Sequence, residues 1–249
     1  MTGTEPSAVD AYDAELVARA RGVLGEELAA VYAAGSWALG DYVPGRSDLD
    51  RLVVSAEPLR DGQADAFVEA LRHEALPVPA RKLELVVYAR AAVERPTPGA
   101  AFELNLNTGE ARFHHATTDP EAEPGHWFVL DRAIARERGI ALVGPPALTL
   151  FAPLPRQWLR AALRESLAWH AANPEVAEPE NTVLNACRAW FFLVEGRWAS
   201  KDEAAEWALE REPGLGLVRD AVALRRGESA GPLDAAAVGE LAAWVSVLA

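Results

Sequence analysis

Apolar residues recur at Leu16, Val17, Ala20, Val23, Leu24 and Leu28, a spacing near 3.6 that predicts a helix over residues 9–30. The stretch "AVYAAG" (30–35) predicts a strand running into a turn. After a loop punctuated by Gly and Pro, "LDRLVVS" (49–55) predicts a second strand, and "DGQADAFVEALRHEAL" (61–76) a helix opened by Asp61. "KLELVVYA" (82–89) predicts a third strand, "AAFELNLNTG" (100–109) a further strand or irregular extension, and "WFVLDRAIARERGIALVG" (127–144) a helix closed by Gly139. The pattern changes at "GPPALTLFAPLP" (144–155), where Pro145, Pro146, Pro153 and Pro155 suit a domain boundary. Beyond it only helical periodicity remains, over about 156–172, 181–195, 201–211, 215–227 and 234–248, with Asn181 and Gly196 as end signals and Ser200 to Glu203 as a capping box. The expected architecture is α+β: an N-terminal domain over 1–152 with a mixed sheet flanked by helices, then an all-α bundle over 153–249.

Composition narrows the function classes. Half of the 249 residues are apolar, ample for a core, and 24 Lys and Arg stand against 37 Asp and Glu, a formal charge of -13. That balance argues against nucleic acid or an anionic membrane as partner and favours a cationic one. The single cysteine, Cys187, lies in an apolar run and is expected to be a core residue, which with a polar, acidic N-terminus suggests a cytoplasmic protein. The histidines show no zinc spacing, and no phosphate-loop or dinucleotide fingerprint is present.

The candidate chemistry sits in "GSWALGDYVPGRSDLD" (35–50). On a strand, Asp48 and Asp50 point to one face and Leu49 to the other. Their α-carbons would lie roughly 6 to 7 Å apart. Two carboxylates about 5 Å apart repel by roughly 3 kcal/mol at an effective dielectric of 20, and a divalent cation reverses that sign. Mg²⁺ suits a few carboxylates completed by water and phosphate oxygens. Solvated turn residues are the simpler alternative for an isolated D-x-D. Gly35-Ser36 after a strand adds a place where backbone amides and a hydroxyl can approach phosphate. Glu84, sharing a strand face with Val86 and Tyr88, is an acid in an apolar run that needs a partner or a cation. By alternation Arg51 returns to the side of Leu49 and is expected to be an ion-pair residue.

Gly35-Ser36, eleven intervening residues, Asp48-Leu49-Asp50 and a later strand acid at Glu84 resemble the signature of the polymerase-beta-type nucleotidyltransferase superfamily. With "ARERGIALVGP" and "NTVLNACRAWFFLVEGRWASKDEAAEWALE", the chain from about residue 30 to 227 is similar to the aminoglycoside 3''-type adenylyltransferases. These modify streptomycin and spectinomycin. The resemblance implies ATP as substrate, two Mg²⁺ ions on Asp48 and Asp50, and Glu84 as general base. It also implies triphosphate contacts from Gly35, Ser36, Lys201 and Arg188, although a structural ion pair is equally open for Arg188. Trp169, Glu178, Glu180 and Glu110 fall at or near family drug contacts, and Glu103 extends that acidic set. A second family acid falls at Pro174, with Glu175 beside it, and the family's aromatic after "GE" is Ala111, with Phe113 as a replacement. The implied products are an adenylylated drug and pyrophosphate. The partners expected are a small cationic antibiotic and ATP, with no nucleic acid and no membrane, acting on a monomer. Transfer to another small molecule or to a protein hydroxyl, or a non-catalytic nucleotide-binding relative, are the competing readings.

Overall fold

The computed structural model describes residues 7–110, 114–173, 178–228 and 231–249. Pro174, Glu175, Ala111 and Phe113 lie outside them. The chain divides into two compact units, one of residues 1–38 and 42–153 and the other of residues 39–41 and 154–249.

In the first unit, helix α1 (Ala8–Leu24) opens on a capping box in which Ser7 and Asp10 satisfy each other's backbone amides. It ends earlier than the apolar period suggests, because Gly25 at φ 58° takes the chain out of the helix and Leu28–Ala33 becomes strand β1. The short helix α2 (Gly35–Leu39) follows, its last residue counted with the second unit, then β2 (Leu49–Ser55), α3 (Gln63–Leu71) and β3 (Leu83–Ala89). Helix α4 (Arg90–Glu94), strands β4 (Leu104–Thr108) and β5 (His114–Thr117), helix α5 (Gly125–Arg138), strand β6 (Ile140–Val143) and helix α6 (Ala147–Leu150) complete it. The six strands form one mixed sheet in the order β5-β4-β3-β2-β1-β6, parallel between β2 and β3 and antiparallel elsewhere.

Strand alternation divides the core in two. Leu49, Val53, Leu83, Leu85 and Val87 meet Leu16, Ala20, Phe67 and Leu71 of α1 and α3. On the opposite face Leu52, Val54, Val86 and Tyr88 meet Phe128 and Ala135 of α5 and Leu150 of α6. Asp50 and Glu84 fall at the start of the second face, where the apolar rows give out.

The second unit is helical: α7 (Arg156–Ala172), α8 (Pro179–Glu195), α9 (Lys201–Arg211), α10 (Gly216–Arg226) and α11 (Ala235–Leu248). Helix α8 is its centre, packed against the other four. Pro179 sits in its first turn, ahead of Asn181, where a missing N–H is harmless. Trp190 of α8 meets Trp207 of α9 and Trp244 of α11 edge to face, with ring centroids 4.8 and 4.7 Å apart. Ser200 caps α9 through the amide of Glu203 at 3.0 Å. Cys187 is a buried core residue, its thiol pushed up to about 12 by burial.

Candidate active site

Strands β2 and β3 are parallel neighbours in a register that sets Asp50 directly opposite Glu84. Side chains opposite one another across a sheet share a face, so the same row continues to Asn107 of β4 and His115 of β5. The bond from the Leu49 amide to the Lys82 carbonyl, 2.9 Å, pins the two strand starts together. Asp48 lies one step before β2, where its charge acts on Asp50, and Arg81 and Lys82 tie it to the start of β3.

Gly35 closes the floor of this site. It has φ +53°, and a β-carbon there would stand 1.8 Å from Oδ2 of Asp50. The chain therefore turns from β1 into α2 with its backbone against the Asp50 carboxylate, an approach only glycine allows. The next residue, Ser36, is partly buried at the start of α2. Ser47 is turned inwards, its hydroxyl accepting from the Val43 amide at 2.9 Å and shaping the loop that delivers Asp48.

The electrostatics of the acids are uneven. Burial, followed by the charges of Glu84, Asp131 and Asp48, raises the Asp50 carboxyl well above the ordinary carboxylate range, with Arg51 opposing. Arg51 lies on the other face, completely buried, and its guanidinium grips both oxygens of Asp13 from α1 at 2.7 and 2.9 Å. It also donates to the backbone carbonyl of Asp50 at 2.9 Å. Arg81 holds both oxygens of Asp48, at 2.8 and 2.9 Å. Lys82 lies 2.5 Å from Oε1 of Glu84 and 3.7 Å from Oδ2 of Asp48. Burial lowers the Lys82 ammonium, yet the charges of Glu84 and Asp48 more than reverse this and leave it raised.

Two or three carboxylates on one face, one of them poorly suited to carrying its charge unaided, are the donors a hard divalent cation takes when water and phosphate complete its shell. Among the described residues no three His, Cys, Asp or Glu side chains already converge as a ligand set. Asp48 is paired with Arg81, and Glu84 with Lys82. Asp48 and Asp50 are the residues here whose oxygens could hold such a cation.

In the helical unit, the Lys201 amide at the start of α9 donates to Asp41 at 2.8 Å, and its ammonium donates to Asn181 at 2.7 Å. Asn181 in turn donates to Glu178 at 2.6 Å, so Lys201, Asn181 and Glu178 form one chain of contacts. Glu178 is exposed and has φ 52°, uncommon for a residue with a side chain. Glu180 and Arg188 lie partly buried along α8. Trp169 of α7 meets His170 edge to face, and His170 bridges the Ser166 carbonyl and Asn185. Glu110 is exposed at the end of β4. Glu103 is otherwise engaged, accepting the Leu59 amide at 3.1 Å.

The residues that the sequence reading passed over are Arg81, Lys82, Asp131 and Asp13. Two consecutive cations just before a strand acid were a usable signal for the first pair. Asp131 and Asp13 sit on helices whose approach to β2 depends on the tertiary fold, and nothing local marks them.

These features define a class of architecture: a mixed-sheet unit, with acids at adjacent strand starts and a Gly-Ser turn beside them, followed by an all-helical unit. Residues 149–246 match the family described as "Aminoglycoside adenylyltransferase, C-terminal domain". An aminoglycoside (3'') (9) adenylyltransferase of Klebsiella pneumoniae is 46% identical over 80 residues, 32% of this chain and 30% of that protein. A spectinomycin 9-adenylyltransferase of Staphylococcus aureus is 33% identical over 100 residues, 38% of this chain and 35% of that protein. The matched stretches thus span about a third of these curated relatives. The crystal structure of spectinomycin adenyltransferase AAD(9) from Enterococcus faecialis with ATP and spectinomycin shares the fold, with a TM-score of 0.70 over 96% of this chain and 98% of that one, at 17% identity. The resemblance carried by the sequence to the aminoglycoside adenylyltransferases is matched in the C-terminal segment by family and throughout by fold.

Proposed function

We propose that this protein transfers AMP from ATP to a hydroxyl of a cationic aminocyclitol antibiotic, streptomycin or spectinomycin, and releases pyrophosphate. The observation that carries the reading is the Asp50 and Glu84 pair in register on one sheet face, with Gly35 packed against it. Glu84 accepts the proton of the drug hydroxyl as that oxygen attacks the α-phosphorus of ATP, and the bond to pyrophosphate breaks. Backbone amides after Gly35 and the Ser36 hydroxyl hold phosphate oxygens, with Lys201 and Arg188 as further cationic contacts. Asp48 and Asp50 would hold two Mg²⁺ ions, whose charge neutralises the triphosphate and favours an in-line displacement. Trp169, Glu178, Glu180 and Glu110 are assigned to the drug, whose ammonium groups suit carboxylates and an aromatic face. We infer a monomer working in the cytoplasm, where ATP is available. Among the described residues no helix is long and apolar enough to cross a membrane.

The test is incubation with labelled ATP, Mg²⁺ and a panel of aminocyclitols, followed by mass spectrometry for a gain of one AMP. ATP binding without transfer to any drug would overturn the reading. Glu84→Gln is expected to lower turnover by about 10²- to 10⁴-fold, the range of a lost general base, while ATP still binds. Full turnover in that variant would remove Glu84 from the mechanism.

A further inference from the structure

We propose that Arg81 and Lys82 are internal counter-cations of the carboxylate face: they occupy Asp48 and Glu84 in the cation-free protein and are exchanged for the divalent ion, so that they set how tightly it binds. The proposal rests on the assignment of Asp48 and Asp50 as cation ligands. Three features of the structure carry it beyond that assignment.

The first is occupancy of the ligand atoms. The Arg81 guanidinium covers both Asp48 oxygens, at 2.8 and 2.9 Å. A cation at Asp48 needs at least one of these oxygens, so the guanidinium competes with it for their lone pairs and repels its charge. The Lys82 ammonium, 2.5 Å from Glu84 and 3.7 Å from Asp48, bridges the acids of two neighbouring strands. It occupies the position of positive charge that a bound cation would otherwise supply.

The second is how the two cations are mounted. Their backbone cannot slide away. The Lys82 carbonyl accepts the Leu49 amide, and a β-carbon on Gly109 would stand 2.6 Å from the Arg81 carbonyl, so β2 and the end of β4 close on this dipeptide from either side. The side chains are less confined, since that of Arg81 is 40% exposed and that of Lys82 21% exposed. Exchange is therefore a rotation of two long side chains about a fixed backbone, and the strands that carry the acids need not move.

The third is charge. With both cations in place, Asp48 and Glu84 are neutralised pairwise, and Asp50 is left between them. Removing either cation leaves an uncompensated carboxylate on the face, which raises the field that a divalent ion experiences and removes a competitor for its ligands.

The test is Mn²⁺ binding to the full chain without ATP, followed by electron paramagnetic resonance of the free ion, for the wild type, Lys82→Met, Arg81→Met and Asp50→Asn. Methionine keeps the aliphatic stem and removes the charge. Both methionine variants are expected to bind Mn²⁺ at least about fivefold more tightly than the wild type, as expected for loss of one positive charge within about 5 Å of a divalent ion in a partly solvated site. Asp50→Asn is expected to bind it more weakly. Unchanged or weaker binding in both methionine variants, with Asp50→Asn still defective, leaves the cation site standing and overturns the exchange. Binding that is indifferent to Asp50→Asn overturns the cation assignment itself.

Discussion

Gly35 is the residue where backbone geometry and chemistry meet most closely. Its φ of +53° alone costs another residue roughly 1 to 2 kcal/mol. The larger effect is steric, because a β-carbon would overlap Oδ2 of Asp50 at 1.8 Å and the carboxylate would have to leave its place. Gly35→Ala is therefore expected to reduce kcat/KM for AMP transfer by about 100-fold or more, the order of loss that follows from displacing a reacting group by an ångström. Gly40 is the control: its φ is +79° but nothing lies within 4 Å of the position a β-carbon would take. Gly40→Ala should lose a similar amount of stability to backbone strain and keep most of its activity. Steady-state assays and thermal melts of both variants decide it, and a Gly35→Ala enzyme within a few-fold of the wild type would show that Asp50 does not need its observed position.

At the scale of elements, the acids of the site are held from behind. Arg51 continues β2 directly after Asp50, points to the opposite face and fastens the strand to α1 through Asp13, with both side chains almost fully buried. Burial raises the Asp13 carboxyl, and the hydrogen bond and charge of Arg51 counter this, as in a pair that is stable only while intact. Arg51→Met is expected to cost about 3 to 5 kcal/mol in urea denaturation, mostly from the stranded carboxylate, whereas Asp13→Leu with Arg51→Met should recover much of it. Equal losses in the single and double variants would mean that the packing of the Arg51 stem, not its charge, fastens α1. Sequence alternation alone placed Arg51 on the face opposite Asp50, because a strand period of two needs no tertiary information. It did not reveal β5 or β6. These are the two edge strands, four residues each and largely exposed, so they carry neither the continuous apolar run nor the alternation of an interior strand. The helix expected to run to residue 30 failed for a related reason: Leu28, Ala29 and Ala30 prolong the helical period, and only the backbone at Gly25 shows where it stops. Arg81 and Lys82 are marked in the sequence only as two cations ahead of the strand acid Glu84. What distinguishes them is the neighbouring strand, whose Asp48 is 33 residues away along the chain.

At the scale of the molecule, the balance of 24 basic and 37 acidic residues, -13 in all, gives the two proposed substrates opposite electrostatic histories. A polycationic drug approaches down the potential of an anionic protein, while ATP approaches against it. Salt screens both encounters: the Debye length falls from about 30 Å at 0.01 M to about 8 Å at 0.15 M, shorter than the distances over which a net charge steers. Raising NaCl between these concentrations should therefore lower kcat/KM for streptomycin at saturating ATP by a few-fold. The value for ATP at saturating drug should hold or rise, because screening removes repulsion at long range while the cationic contacts near the phosphates act at short range and are screened less. The two slopes are measurable in one assay by exchanging which substrate is limiting. Parallel falls for both substrates would show that salt acts on the protein or the chemical step, and that the charge of the whole chain has no part in recruiting the drug.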